Sequence, residues 1–221
     1  MKTFALTKTF DGVTALNMPS LELKPGTIYA IIGANGSGKS TFARILAGVL
    51  PADSSAPVLE PGVRVGYMPQ KSFAFRMSVL KNVCLTGGSP ERAMELLEQL
   101  GIAHLASRKA GKLSGGETAR MALARMAMKP YDLVILDEPT AAMDVESTLL
   151  AEEMMQRMVA ESGCTMLLVT HSLQQARRVA GEALYLQKGQ LVEAGPAGKL
   201  LYTPEEEDTR RFLQFYGIGN S

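Results

Sequence analysis

At 221 residues the chain is long enough for one domain with a sizeable buried core. Its 23 Lys and Arg stand against 22 Asp and Glu, a net charge of +1, which leaves no broad electrostatic pull toward nucleic acid or an anionic membrane surface. No apolar run reaches bilayer length and Met1 to Lys8 lack a signal-peptide core, so a reducing, cytoplasmic setting is expected, with Cys84 and Cys164 as buried free thiols.

Phe4 to Leu23 reads as short strands turning at Asp11-Gly12, and Lys24-Pro25-Gly26 as the turn that feeds the next strand. Ile28 to Ile32 is a buried strand, and Thr41 to Ala47 a helix closed by Gly48. Between them runs Gly33-Ala34-Asn35-Gly36-Ser37-Gly38-Lys39-Ser40-Thr41, a match to G-x-x-x-x-G-K-[ST], the phosphate-cradling P-loop. Each residue type has a reason. Glycines let backbone N–H groups approach phosphate oxygens, and the helix that follows offers its unpaired N–H groups and positive dipole end. Lys39 supplies a charge for the β- and γ-phosphates, and the Ser40 hydroxyl suits Mg²⁺. The expected ligands are therefore a nucleoside triphosphate and Mg²⁺.

Val63 to Met68 is a candidate strand ending at Pro69-Gln70, and Ser78 to Met128 is mainly helical. Ser89-Pro90-Glu91 opens one helix, Ala93, Leu96, Leu97 and Leu100 form its apolar stripe, and Gly101 stops it. His104 reads as structural. In Leu113-Ser114-Gly115-Gly116-Glu117 the Ser and Glu have capping-box spacing, and the two glycines leave helix-start N–H groups bare, a second anion site. The apolar strand Asp132 to Leu136 delivers Asp137 and Glu138, a Mg²⁺-holding acid followed by a candidate general base. Thr165 to Thr170 is another buried strand, which brings His171 to the same edge of the sheet. Ala183–Gln187 and Gln190–Glu193 form a hairpin around Lys188-Gly189. A last helix is expected to open at Thr203-Pro204-Glu205-Glu206, packed down by Phe212, Leu213, Phe215 and Tyr216.

The order of these parts resembles the ABC ATPase family, the ATP-binding subunits of ABC transporters. The resemblance spans nearly the whole chain. It implies that Phe10 stacks on adenine, Gly33 to Thr41 is the Walker A loop, and Gln70 the Q-loop glutamine that joins Ser40 and Asp137 at the metal. It implies that Leu113 to Glu117 is the signature acting in trans, Val134 to Glu138 the Walker B strand with its catalytic glutamate, Asp144 the D-loop acid and His171 the switch histidine. Lys39, Gln70, Glu138 and His171 are thus the expected catalytic set. Two departures stand out: Ala141 and Met143 replace the usual D-loop serine and leucine, and Ala119 stands where many members carry glutamine, with Arg120 kept.

The fold expected is α/β: a P-loop NTPase (RecA-like) core with a mainly parallel sheet, an N-terminal antiparallel β subdomain and an inserted helical subdomain. The single domain would cover 1–221, with the core at about 1–72 and 129–221 and the helical part at about 73–128. The family further implies a head-to-tail homodimer, separate transmembrane permease subunits touched by Phe73, Phe75 and Met77, and a peripheral place on the cytoplasmic face of the inner membrane. The stand-alone ATPase chain and its tail look like an importer for amino acids or small oxyanions such as tungstate, which would add a solute-binding protein. No direct nucleic-acid partner is expected. The alternatives are a soluble, non-transport ATPase of the same superfamily acting on nucleic acid or ribosomes, and a small P-loop nucleotide kinase, which would not need Leu113 to Glu117.

Overall fold

The computed structural model describes residues 1–54 and 56–216, so the last positions of the expected 1–221 domain lie outside the described residues. The strands are β1 (Lys2–Thr3), β2 (Leu6–Phe10), β3 (Val13–Met18), β4 (Leu21–Glu22), β5 (Ile28–Ile32), β6 (Val65–Met68), β7 (Leu133–Asp137), β8 (Thr165–Val169), β9 (Glu182–Gln187) and β10 (Gln190–Pro196). The helices are α1 (Lys39–Leu46), α2 (Val79–Val83), α3 (Pro90–Gln99), α4 (Gly115–Ala127), α5 (Val145–Ser162), α6 (Leu173–Val179), α7 (Ala197–Leu200) and α8 (Glu207–Phe215).

Eight strands form one sheet in the order β2-β3-β10-β9-β5-β8-β7-β6, and β1 pairs with β4 apart from it. Neighbours from β9 to β6 are parallel. Every residue of β5, β7 and β8 is buried, as apolar runs covered on both faces must be. On one face lie α1 and the N-terminal hairpin, with Phe42, Ile45 and Leu46 against Ile31, Ile135 and Val169. On the other, α3, α4 and α5 close a larger core around Leu97, Met121 and Met155. The antiparallel hairpin β2–β3 turns at Asp11-Gly12, both at positive φ, and joins the main sheet through the pair Gln190 and Asn17.

The parallel order β5-β8-β7-β6 decides where the chemistry gathers. The loops after these strands carry Gly33, His171, Glu138 and Gln70, so all four leave the sheet at one edge, where ligands of open α/β sheets collect. The edge strand β6 is anchored to β7 by Arg64. Its backbone N–H donates to Asp132 Oδ2 at 2.8 Å, and its guanidinium forks onto both carboxylate oxygens at 3.0 and 2.8 Å. The side-chain bond from Arg64 holds the Asp132 carboxyl well below its ordinary range, at about 2. A carboxyl depressed in the folded chain adds stability that is present above the unfolded value of 3.8 and is lost as pH falls toward 2. Asp132→Asn should lower Tm slightly at neutral pH, the pair being exposed, and the gap from the parent chain should close between pH 4 and 2; a melting series across that range checks it.

The tail departs from expectation. The last helix begins at Glu207 and is preceded by Glu206 with no side-chain cap. The Glu193 carboxylate on β10 takes the N–H groups of Glu205 and Glu206 instead, at 3.0 and 3.2 Å, and so delays the helix start. Leu213 is buried and Phe212 stacks on Tyr185, centroids 4.8 Å apart, but Phe215 is 84% exposed and Tyr216 is also exposed. Cys164 is buried as expected, whereas Cys84, at the end of the short helix α2, is only half-buried.

Candidate active site

Gly33 leaves β5 at φ 148, hard against β9: a Cβ there would sit 2.2 Å from the Leu186 carbonyl oxygen. That close approach accounts for glycine at this position more directly than ligand contact does. Lys39, first residue of α1, is 7% exposed, and its ammonium donates to the carbonyls of Gly33 at 2.7 Å and Ala34 at 2.9 Å. Its chain therefore arches back over the loop. Burial lowers the Lys39 pKa, and Glu138 and Asp137 pull it back up. Gly38 caps α1 in the left-handed region without any side-chain bond, so the helix start keeps its bare N–H groups. The loop borders a cleft of about 530 Å³ shared by Asn35 to Thr41, Gln70 and Glu138.

Asp137 ends β7, buried, and its Oδ1 accepts from the Ser40 hydroxyl at 3.0 Å. Burial pushes its carboxyl up against the opposing bond from Ser40. Ser40, Asp137 and Gln70 offer hydroxyl, carboxylate and amide oxygens, the hard donors Mg²⁺ prefers, and the 3.0 Å contact shows that two of them already converge.

Glu138 follows at φ 50, a left-handed conformation that costs a non-glycine residue of order 1–3 kcal/mol. Its backbone N–H donates to the Val169 carbonyl at 2.9 Å, which ties the strained turn to β8. The carboxylate, 12% exposed, lies 2.7 Å from His171 Nδ1. With Glu138 ionised, Nδ1–H donates, which leaves Nε2 of a neutral ring as an acceptor. Burial raises the Glu138 pKa, opposed chiefly by His171.

The signature segment takes a different place. Ser114 caps α4 in a complete capping box: its N–H donates to Glu117 Oε2 at 2.6 Å, and its Oγ accepts from the Glu117 N–H at 3.2 Å. The bond from the Ser114 N–H lowers the Glu117 carboxyl. The first-turn N–H groups of Gly115 and Gly116 have no intrahelical acceptor. The glycine pair also has an internal cause that sequence patterns did not reveal. A Cβ on Gly116 would fall 2.7 Å from the Ala142 carbonyl oxygen, and one on Gly115 3.3 Å from the Ala142 methyl. The signature turn thus packs on the D-loop of its own chain. Ser114 is exposed, and neither it nor any of Leu113 to Glu117 borders the P-loop cleft. Leu113 and Gly115 instead border a neighbouring cleft of about 410 Å³, which Gln70 and Glu138 also line.

Two further expected site residues, Asp144 and Phe10, do not border the P-loop cleft. Asp144 caps α5, accepting from the Ser147 N–H at 2.7 Å, and that bond lowers its carboxyl. Phe10, 45% exposed, sits at the hairpin tip with Lys8 Nζ 5.4 Å from its ring centroid, outside the residues that border the P-loop cleft. Val13, Thr14, Ala15 and Lys188 border it instead. Sequence reading missed them because their position depends on a distant contact: Gly189 approaches so closely that a Cβ would stand 2.5 Å from the Ala15 carbonyl oxygen.

A family profile described as ABC transporter matches residues 16–141. The chain is 36% identical to the zinc import ATP-binding protein ZnuC of Yersinia pestis, over 81% of this chain and 73% of that one. It is 38% identical to the tungstate uptake system ATP-binding protein TupC of Peptoclostridium acidaminophilum, over 86% and 95%. In fold it is similar to the ATP-binding cassette MJ0796, solved as a post-hydrolysis dimer with ADP and Pi, at TM-score 0.76 and 23% identity over 89% of this chain and 99% of that one.

Proposed function

The chain belongs to the ABC transporter family as an ATP-binding, ATP-hydrolysing subunit, and from that premise we propose that two copies pair head to tail around two ATP molecules and drive solute import through separate membrane subunits. The observation that carries the pairing is the placement of the signature: exposed, with bare N–H groups, and outside the P-loop cleft of its own chain. A helix start built to meet an anion, but outside its own P-loop cleft, is completed by a second copy related by twofold symmetry.

In this reading Gly33 to Thr41 hold the triphosphate, and Lys39 bonds the β- and γ-phosphates. Ser40, Asp137 and Gln70 hold Mg²⁺, which when bound neutralises phosphate charge. Glu138 accepts a proton from the attacking water, and His171 Nδ1–H holds Glu138 in place while its bare Nε2 accepts a hydrogen bond from that water. Phe10, paired with the cleft-lining Val13 in the hairpin, stacks on the adenine base. Leu113 to Glu117 cover the other copy's ATP, and Asp144 keeps the D-loop turn shaped beside them. The core would comprise about 1–72 and 129–221, and the helical subdomain about 73–128.

Among the described residues no helix is long and apolar enough to cross a membrane. The proposed station is therefore peripheral, on the cytoplasmic face of the inner membrane, held by permease subunits and served by a solute-binding protein. In such a system the cargo does not touch this subunit, and relatives named for zinc and for tungstate, ions of opposite charge, share similar identity with this chain. Phe73, 67% exposed, and Phe75 lie just after Gln70 as a tilted pair, with centroids 6.3 Å apart. Asn82 bonds the Phe75 N–H and carbonyl at 2.9 and 3.1 Å, and Arg125 bonds the Phe73 carbonyl at 3.1 Å. An apolar pair fixed so firmly is preorganised for a partner. The tagged chain should co-purify permease subunits from membranes of its source. Replacing Phe73 and Phe75 with Asp should lose them while the purified chain keeps its ATPase rate. Retention of the partners by the double variant would remove the docking role.

A further inference from the structure

Helix α5 carries a carboxylate in the protein interior. Glu152 is 4% exposed, and Arg178 of α6 forks onto it, with Nε to Oε2 and a terminal nitrogen to Oε1 both at 2.7 Å. Gln175, 1% exposed and one turn before Arg178, donates its amide to Glu152 Oε1 at 3.3 Å and to the Thr140 hydroxyl at 3.0 Å. The two ends of this chain of bonds are informative. Thr140 lies two residues after Glu138, in the turn where Ala141 N–H reaches the Glu138 carbonyl and Met143 N–H the Thr140 carbonyl. Gln175 lies in the first turn of α6, whose cap Ser172 directly follows His171 and accepts from the Gln175 N–H at 3.2 Å.

We infer that Thr140 and Gln175, held by the fork of the exposed Arg178 onto the buried Glu152, form a positioning clamp that keeps the Glu138 turn and the His171 turn in register. A fork that only stapled α5 to α6 would be complete with Glu152 and Arg178. The amide of Gln175 reaches beyond it to the loop that follows β7. Glu138 gains order from this because its own backbone is in a left-handed conformation that the surroundings must hold. The 2.7 Å contact with His171 joins two loops from neighbouring strands, and a slip of a fraction of an ångström between them breaks it. Thr140 and Gln175 act through Glu138 and His171 and do not border the P-loop cleft.

The inference rests on the proposed roles of Glu138 and His171 in hydrolysis. Thr140→Val keeps the side-chain shape and deletes the hydroxyl, and Thr140→Ser keeps the hydroxyl. Steady-state ATPase kinetics and melting of the full chain compare them. For the valine variant kcat should fall about tenfold, with KM for ATP within about twofold of the parent and Tm nearly unchanged. The serine variant should recover most of the rate. A valine variant with parental kcat, or equal losses in both variants, overturns the clamp. Glu138→Gln in the same assay separates the layers: if it is inactive while Thr140→Val is normal, the clamp alone fails, and if it turns over at the parental rate, both the site reading and the clamp fail.

Discussion

Glu138→Gln should lower ATP turnover by roughly 10²- to 10⁴-fold, the range that loss of a general base produces. The substitution preserves volume and tolerates the same positive φ about as well, so the turn tied to Val169 stays in place. An amide oxygen still accepts from His171 Nδ1 but cannot take up a proton. The ATP contacts of Lys39 and the loop N–H groups are untouched, so binding should persist. The consequence reaches beyond rate. If ATP favours the closed pair and hydrolysis reopens it, blocking hydrolysis leaves the favoured state populated. In ATP and Mg²⁺ the variant should run as a dimer by light scattering, and without nucleotide as a monomer. A variant that is inactive yet monomeric in ATP would separate the two parts of the account and remove the pairing.

Lys39→Ala should weaken ATP binding by about 1.5–3 kcal/mol, the usual worth of a hydrogen bond to a charged group, or roughly 10- to 150-fold in Kd. The apo chain should hardly change. Lys39 is buried with its ammonium on two carbonyls, and its lowered pKa reflects a desolvation cost that its removal relieves. The expected pattern is therefore an apo Tm close to the parent and a much smaller rise in Tm on adding ATP. Calorimetric titration gives the affinity directly. Parental affinity in this variant would end the assignment of the loop as the phosphate site.

What the sequence made legible was local. The strand, loop and helix from Ile28 to Leu46 are contiguous, so the phosphate cradle could be read off one segment. The caps at Ser78, Ser89, Ser114 and Asp144 all act within three residues of themselves; the signals at Ser89 and Ser114 are legible in the sequence, whereas helix α5 behind Asp144 was not expected. The buried strands β5, β7 and β8 announced themselves by unbroken apolar runs, and their parallel order brings the loops of Gly33, Glu138 and His171 together. Contacts between distant segments stayed hidden. Nothing near Ala15 predicts that Gly189 will press on it, and nothing in the signature predicts that Gly116 must clear the Ala142 carbonyl. The tail helix was placed too early because Glu193, on another strand, takes the N–H groups that a local cap would have used. Phe215 turns outward, whereas Tyr216, though exposed, lays its ring 4.9 Å from that of Phe212.

The most direct measurement is a structure of Glu138→Gln with ATP and Mg²⁺. The account predicts a twofold pair in which Ser114 Oγ and the Gly115 and Gly116 N–H groups of one protomer lie within about 3 Å of the γ-phosphate oxygens bound by its partner's P-loop. A nucleotide-loaded structure in which Ser114 faces solvent in every assembly would contradict it.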